Sequence, residues 1–187
     1  PTRDFNNIVL RMKSVNPDLV IPANYYNEYA LLVRTMRQQK VVPMAIYSVL
    51  GGAASNFRFV KEFPDAANGI IDVNHWYNPR DKRVPALRKR VEAKGGFFVY
   101  EFFMNYTALW LLADALERAG SAKRDDVIAA LESSTFANHI MPYGPTKFVN
   151  GQNEGARPLM TQVLNNDIKV IVPQEFREAE PVFPWMG

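Results

Sequence analysis

Three short clusters of aromatic and polar residues hold most of the side chains in this sequence that could do chemistry. Each cluster follows an apolar run of strand length. Tyrosine and tryptophan combine a large contact area with a polar tip that can orient a small ligand. We therefore predict binding rather than transformation of a ligand. The first cluster is Asn24, Tyr25 and Tyr26, the second is Tyr47, Ser48, Val49, Leu50 and Gly51, and the third is His75, Trp76 and Tyr77.

Support for catalysis is weak in this sequence. There are no cysteines, and the two histidines, His75 and His139, lie far apart without a carboxylate at ligand spacing. None of the motifs HExxH, GxSxG, GxGxxG or the P-loop occurs. Gly51 and Gly52 precede a helix and could offer N–H groups to an anion, but such pairs are common and more often form a plain turn. We expect neither an enzyme, nor a metal site, nor a cofactor.

The net charge of +3 raises the question of nucleic-acid binding. Most of the excess lies in residues 80–94, where Val84, Leu87 and Val91 recur at helical spacing. The basic residues would then form a solvated outer face, and no aromatic residues alternate with them as single-strand binding requires. We expect no nucleic-acid partner. No apolar run reaches the roughly 20 residues of a membrane span, so direct membrane insertion is not expected either.

The elements that must position the three clusters alternate between helix and strand up to residue 77. Asp4 can cap the first helix, and Asn16-Pro17-Asp18 ends it. This alternation predicts an α/β fold with a parallel sheet, and right-handed crossovers place the three strand ends on one edge. Ligands bind at such an edge in open α/β sheets. The predicted helices are 5–15, 27–39 and 55–62, and the predicted strands are 19–22, 41–48 and 69–73.

After Pro79 the pattern becomes mainly helical. Residues 97–119 are apolar almost all round, which predicts a deeply buried helix that needs more partner surface than residues 80–156 offer. A short helix over 124–132 and a short strand over 146–149 follow. Strands 158–164 and 168–172 form a predicted hairpin around Asn165-Asn166-Asp167. The tail from Pro173 carries three prolines, and we expect it to run over the surface.

The succession of these segments resembles the later half of periplasmic substrate-binding proteins of the branched-chain amino acid type, which serve ABC importers. The resemblance covers essentially the whole chain in order, although each motif alone is loose. It is carried by NPDLVIPANYYNEYALLVRTMR, VVPMAIYS with its Gly-rich loop, AANGIIDVNHWYNP, YTALWLLADALERAG, DDVIAALESSTF and KFVNGQNEGARPLMTQVLNNDIKVIVPQE.

The resemblance implies a type I periplasmic binding-protein fold, with two α/β lobes and a ligand cleft that closes by hinge motion between them. Residues 1–77 and 157–187 would form the parallel-sheet second lobe, and residues 78–156 would supply helices of the first lobe. The first lobe's own sheet and a signal peptide would lie upstream of Pro1. The implied location is the periplasm, and the implied partners are a small-molecule ligand, a membrane permease and the missing N-terminal half.

The resemblance also assigns candidate ligand contacts. Tyr25 aligns with the aromatic residue that closes over the ligand, and Tyr26 would share that wall beside Asn24. The loop Ser48–Gly51, next to Tyr47, aligns with the loop that holds an acid for the ligand ammonium in amino-acid binders, yet AIYSVLGGAAS contains no acid. Glu101, beside Tyr100, would replace that acid or face solvent at a helix start. Trp76 would form the base of the cleft.

The missing acid favours an uncharged or carboxylate-bearing aromatic or aliphatic ligand over a free amino acid, because an uncompensated ammonium in a closed cleft is costly. An amide or an amino acid stays open as a ligand class. Two other functions also stay open. One is a ligand-sensing domain of a receptor or transcriptional regulator with the same fold. The other is an α/β enzyme, for which a nucleophile–base pair is lacking.

Overall fold

The computed structural model describes residues 4–49 and 53–185. Its first part alternates helices and strands as predicted, with bounds that differ by a few residues. Asp4 Oδ1 accepts a hydrogen bond from the N–H of Asn6, so it caps the first helix as expected. One short helix was not predicted. The elements are α1 Asn6–Val15, β1 Leu19–Val20, α2 Tyr26–Gln38, β2 Ala45–Val49, the 3-10 turn Ala53–Ser55, α3 Phe57–Glu62, the additional α4 Pro64–Ala67, and β3 Ile71–Asn74.

The remaining elements are three helices and two antiparallel strand pairs. Helices α5 Val84–Glu92, α6 Tyr100–Ala119 and α7 Arg124–Glu132 occupy the predicted segments. The predicted hairpin is present, with left-handed backbone conformations at Asn165 and Asn166 that make its turn. The strands are β4 Phe148–Val149, β5 Gln152–Asn153, β6 Leu159–Leu164 and β7 Asp167–Val172, and a 3-10 turn covers Gln174–Phe176.

A five-stranded sheet in the order β1-β2-β3-β6-β7 organises the chain. Strands β1, β2 and β3 pair in parallel, so the prediction that their carboxyl ends share one edge is confirmed. The hairpin adds to β3 in antiparallel register, with Ile71 opposite Gln162 and Asn74 opposite Leu159. The sheet is therefore mixed, because two strands joined by a tight turn must run in opposite directions.

The apolar face of the basic helix α5 is as predicted, but half-buried Arg88 does not belong to the solvated outer face expected for the basic residues. Val84 is buried in the core, and Leu87 and Val91 pack against it. The guanidinium of Arg88 lies 4.0 Å from the ring centroid of Phe57 and 3.8 Å from Asp167. Helix α5 is thus joined both to α3 and to the hairpin.

The deep burial predicted for α6 is wrong in this chain. Phe103, Thr107 and Ala115 face inward, but Leu109 is 68% exposed and Trp110 is 49% exposed. A helix that is apolar all round needs cover on every side, and within the described ranges only one side is covered. The outer apolar face of α6, which we call the α6 face, consists of Met104, Leu109, Trp110, Leu112 and Leu116.

The tail runs over the surface from Pro173 to Pro184 as predicted, but its last described residue enters the core. Trp185 is 1% exposed and belongs to the core, and its N–H donates to the carbonyl of Met44. The side-chain amide of Gln162 donates to the carbonyl of Val182 and accepts from its N–H, at 2.8 and 2.9 Å. Buried Gln162 therefore pairs with the tail in the manner of a neighbouring strand.

Candidate functional site

The carboxyl edge of β1–β3 positions the first aromatic cluster. Tyr25 precedes α2 in an extended conformation and is 87% exposed, with no hydrogen bond from its hydroxyl to any described residue. Asn24 is half-buried in the loop before it. A large aromatic ring exposed at a strand edge is available for contact with a ligand or a second protein surface.

Tyr26 has a different environment from Tyr25. Its hydroxyl donates to Glu62 Oε2 at 2.6 Å, and its ring packs edge-on against Phe59 and under the guanidinium of Arg58. Partial burial and the Glu62 carboxylate raise the pKa of the Tyr26 phenol. Tyr26 therefore joins α2 to α3, and its polar tip is already occupied.

The residues of the second cluster lie on opposite faces of the sheet. Side chains alternate between faces along a strand, and the register places Ser48 on the face of Asp72 but Tyr47 on the face of Ile71 and Gln162. Tyr47 is half-buried on the face that carries the tail, whereas Ser48 is fully buried. Gly51, together with Leu50 and Gly52, lies outside the described residues.

Ser48 belongs to a buried polar pair that the sequence did not reveal. Its Oγ lies 2.5 Å from the hydroxyl of Tyr29, which α2 presents to this face of the sheet. Both side chains are fully buried, and burial raises the pKa of the Tyr29 phenol. Tyr29 was not predicted as a site residue because its position also suits the inner face of an amphipathic helix.

Asp72 is the second polar residue that was not predicted. It is fully buried next to Ser48 in the register, and neither carboxyl oxygen has a hydrogen-bond partner in the described part of the chain. Burial raises the pKa of Asp72 to about 7, and the Val73 N–H and the Asn74 amide offset part of that rise without reaching good hydrogen-bond geometry. The feature of the sequence that points to this residue is an acid inside the apolar run Ile70-Ile71-Asp72-Val73.

Trp76 lies in the core rather than on a cleft wall. Its ring stacks on Tyr77 at 5.1 Å and packs edge-on against Phe103 of α6 at 5.4 Å. No surface of Trp76 is exposed. Its ring, which was expected to form the base of a cleft, is covered by other side chains of the protein. Trp76 instead fixes the start of α6 beside the end of β3.

The start of α6 brings Tyr100 and Glu101 to the same region. Partial burial raises the pKa of the Tyr100 phenol, and the negative charges of Glu101 and Asp72 add to that rise. Tyr100 is partly buried and packs against the core that contains Trp76 and Tyr77. Glu101 is exposed in the first turn of α6.

His139 is held in a structural environment by two hydrogen bonds. His139 donates from Nε2 to the Gly144 carbonyl at 3.0 Å and accepts at Nδ1 from the Met141 N–H at 3.3 Å. Burial lowers its pKa, which suits a neutral structural ring. No group of three or more His, Asp or Glu side chains that could hold a metal occurs in residues 4–49 and 53–185. No helix in those ranges is long and apolar enough to span a membrane.

The arrangement as a whole suits binding. Tyr25 is exposed at the carboxyl edge of the sheet, Glu101 is exposed at the start of α6, and Tyr29, Ser48 and Asp72 are buried polar residues at the same part of the sheet. Aromatic and hydrogen-bonding groups can hold and orient a small molecule there.

Solved structures with this fold are numerous. The leucine-binding protein LivK from Thermotoga maritima has a TM-score of 0.71 at 20% identity, over 90% of this chain and 48% of that chain. LivJ of Streptococcus pneumoniae, solved with isoleucine, has a TM-score of 0.74 at 20% identity, over 97% and 49%. An extracellular ligand-binding receptor from Rhodopseudomonas palustris has a TM-score of 0.74 at 19% identity, over 91% and 52%.

These likenesses identify the fold as that of type I periplasmic binding proteins, of which this chain is a part. The chain spans about half the length of each of the three structures. Among curated proteins none matches it. The family model for periplasmic binding proteins matches residues 1–167. The chain therefore belongs to the periplasmic binding protein family.

Proposed function

We propose that this chain is part of the solute-binding component of an ABC importer, located in the periplasm or outside the cell. The observation that carries the proposal is the placement of exposed Tyr25 at the shared carboxyl edge of three parallel strands. Family membership and the binding proteins of the same fold support it. The protein binds and releases its solute without catalysis and delivers it to a membrane permease.

The binding event closes a cleft between two lobes. Residues 1–77 and 157–187 form most of the second lobe, and residues 78–156 extend to the first. The exposed α6 face supports this division, because an apolar patch of this kind marks a surface that another part of a protein covers. The covering part is the other half of the type I fold. A ligand that bridges both lobes stabilises the closed arrangement.

The ligand is a small aromatic or aliphatic carboxylate or an amide. Residues 45–55 contain no acid to balance an ammonium group. Asp72 is the nearest acid in the register, but it is fully buried beside Ser48 and offers no surface to a ligand. An amino acid fits only if Glu101 supplies the negative charge beside Tyr100. The contacts are Tyr25 with Asn24 on one wall, the strand ends beyond Ser48, and Tyr100 with Glu101 on the other.

Calorimetric titration of the whole polypeptide that contains this chain tests the proposal. The ligands are benzoate, phenylacetate, benzamide, leucine and isoleucine. We expect saturable binding of one ligand per protein, weakened about tenfold or more by Tyr25→Ala, and unchanged by the matched control Phe183→Ala on the tail. No saturable binding of any of the five, or full affinity in Tyr25→Ala, contradicts the proposal.

The variant Glu101→Gln separates the ligand classes. If the ligand is a carboxylate or an amide, Glu101→Gln binds it as well as the original protein does. If the ligand is an amino acid held through Glu101, the substitution removes the counter-charge and abolishes binding. Tight binding of leucine that is insensitive to Glu101→Gln, with no response to the aromatic ligands, contradicts the carboxylate and amide assignment.

A second candidate function is ligand sensing, which the likeness to an extracellular ligand-binding receptor favours. It uses the same cleft but passes the closed state to a signalling partner rather than to a permease. Uptake of labelled ligand by cells that lack the protein distinguishes the two. Loss of uptake supports the importer, whereas normal uptake with a lost transcriptional response supports the sensor.

A further inference from the structure

A second cavity lies away from the edge that carries Tyr25. It has a volume of about 610 Å³ and lies between α3, α5, the loop 95–97 and the β6–β7 turn. Because β6 runs antiparallel to β3, with Gln162 opposite Ile71, the turn at Asn166 lies beside the start of β3. The candidate cleft lies at the other end of that strand. We call this second cavity the α3–α5 pocket.

The size and walls of the α3–α5 pocket suit a small flat molecule. Its volume falls within the range of about 300–1,000 Å³ that is typical of small-molecule sites. Its apolar walls come from Phe57, Val60, Pro64 and Phe97. A Cβ on Gly96 would lie 3.0 Å from Cγ1 of Val91, so this glycine lets the loop lie tight against α5 and keeps Phe97 at the rim.

The charges of the pocket leave one positive group uncompensated. Arg88 is already shared, because its Nε lies 2.9 Å from Glu92 and its Nη1 lies 3.8 Å from Asp167. The ammonium of Lys61 lies 5.8 Å from the ring centroid of Phe97 and has no carboxylate partner in the part of the chain that the structure describes. The pocket therefore matches a ligand with a single negative charge.

Hydrogen-bond donors are also free at the pocket. Asn166 lines it, and its side chain makes no hydrogen bond to any residue in the described ranges. A carboxylate between Lys61 and Asn166 would accept a charge-assisted hydrogen bond from the ammonium and a neutral hydrogen bond from the amide. These directional contacts would add specificity that the apolar walls do not provide. An aromatic ring attached to that carboxylate would lie against Phe97, which is 37% exposed.

We infer that the α3–α5 pocket is a second small-molecule site that binds an aromatic monocarboxylate through Lys61 and Asn166. It is separate from the proposed interlobe cleft and does not depend on it. Its ligand contacts α3, α5 and the hairpin at once, so its occupancy holds these three elements together.

A two-dimensional ¹H–¹⁵N NMR titration with benzoate tests the inference. We expect saturating shifts in the backbone amides of Gly95, Gly96, Phe97 and Asn166. Lys61→Met keeps the aliphatic stem and removes the charge, and it should weaken binding about tenfold or more, as loss of a charge-assisted hydrogen bond predicts. Lys61→Arg should retain binding. The matched control is Lys89→Met, an exposed lysine of α5 outside the pocket.

The cleft variant Tyr25→Ala separates this site from the proposed function. Unchanged pocket shifts in Tyr25→Ala support a separate site even if the cleft ligand is never found. Benzoate shifts that appear only near Tyr25 and Val49 overturn the pocket and leave the cleft standing. Shifts scattered over surface lysines without saturation, or equal affinity in Lys61→Met, also overturn it. If Lys61→Met does not fold, Phe97→Ala, which alters only the rim, must weaken benzoate binding for the inference to stand.

Discussion

Ser48 on β2 and Asp72 on β3 are register partners that present their side chains to the same face of the sheet, yet only Ser48 has a hydrogen-bond partner there. The hydroxyl of Tyr29 satisfies Ser48, while both carboxyl oxygens of Asp72 remain without a donor in the described ranges. Above neutral pH, Ser48 therefore stabilises the fold through its hydrogen bond, whereas the ionised and unpaired Asp72 destabilises it.

Asp72 should make the protein less stable as the pH rises. Its pKa is raised from 3.8 to about 7 by burial, so the folded state holds a proton that the unfolded state has already lost. The free energy of unfolding therefore falls from about pH 4 to about pH 7 and is flat above. The loss is at most about 4 kcal/mol at 1.36 kcal/mol per pKa unit. Urea unfolding at pH 5 and pH 8.5 measures it.

The variant Asp72→Asn supplies the control for that prediction. An amide cannot ionise, so the variant should lose this part of the pH dependence and be more stable than the original protein at pH 8.5. The exposed acid Glu154 offers a matched substitution, Glu154→Gln, that should leave the pH profile unchanged. Parallel stability curves for Asp72→Asn and the original protein would contradict the role of Asp72.

Removing either hydroxyl of the Tyr29–Ser48 pair should destabilise the fold. Tyr29→Phe or Ser48→Ala leaves one buried hydroxyl without a partner, at about 1–2 kcal/mol each. The double variant should lose less than the sum, with a coupling energy of about 1 kcal/mol, since no unpaired hydroxyl remains. Chemical denaturation of the four proteins gives the cycle. Strict additivity would mean that the 2.5 Å contact contributes nothing.

The α6 face should drive self-association of the isolated 187-residue chain. Leu109 and Leu116 lie two turns apart on it, and contiguous exposed apolar surface promotes association. Replacing both with glutamate should shift the sedimentation profile towards a single monomeric species without lowering the melting temperature. The control Leu10→Glu changes a leucine that is 54% exposed on α1 and should have little effect. A monomeric original chain would contradict the prediction.

Gln162 should be essential for holding the tail. Its side chain bonds to both backbone groups of Val182 and to the Gly69 carbonyl. Gln162→Leu leaves three backbone groups unpaired, which should lower the free energy of unfolding by about 2–4 kcal/mol. The tail after Ala179 should then be cleaved faster in limited proteolysis. Gln152→Leu, on the exposed strand β5, is the control, and an equal cleavage rate in both variants would argue against the Gln162 contact.

The order of elements could be predicted from the sequence, because periodicity and turn residues are local signals. The stripe of α2, the parallel strands and the hairpin around Asn165 all follow from such patterns. Their lateral packing could not be predicted. Trp185 enters the core beside Met44, which is far away in the sequence. Because α6 is apolar all round, its sequence does not indicate which side is covered.

The candidate site was predictable only in part, for a similar reason. A strand end with Tyr25 is visible in the sequence, but the face on which Tyr47 or Ser48 lies depends on register. Trp76 carries the same chemical signature whether it lines a cleft or packs against Phe103. Asp72 cannot be recognised from the sequence, because an acid in an apolar run is informative only once its burial is known. The roles of these residues in ligand binding stay predictions.

The contact between Trp185 and Met44 has a consequence for the order in which this unit is completed. Strands β1, β2 and β3 are synthesised early, but the core layer that Trp185 fills arrives only after β6 and β7 have been made. Contacts between distant parts of a chain form late and slow the folding rate. The parallel strands therefore lack part of their apolar cover until the tail has been synthesised, and apolar surface exposed in this way promotes aggregation.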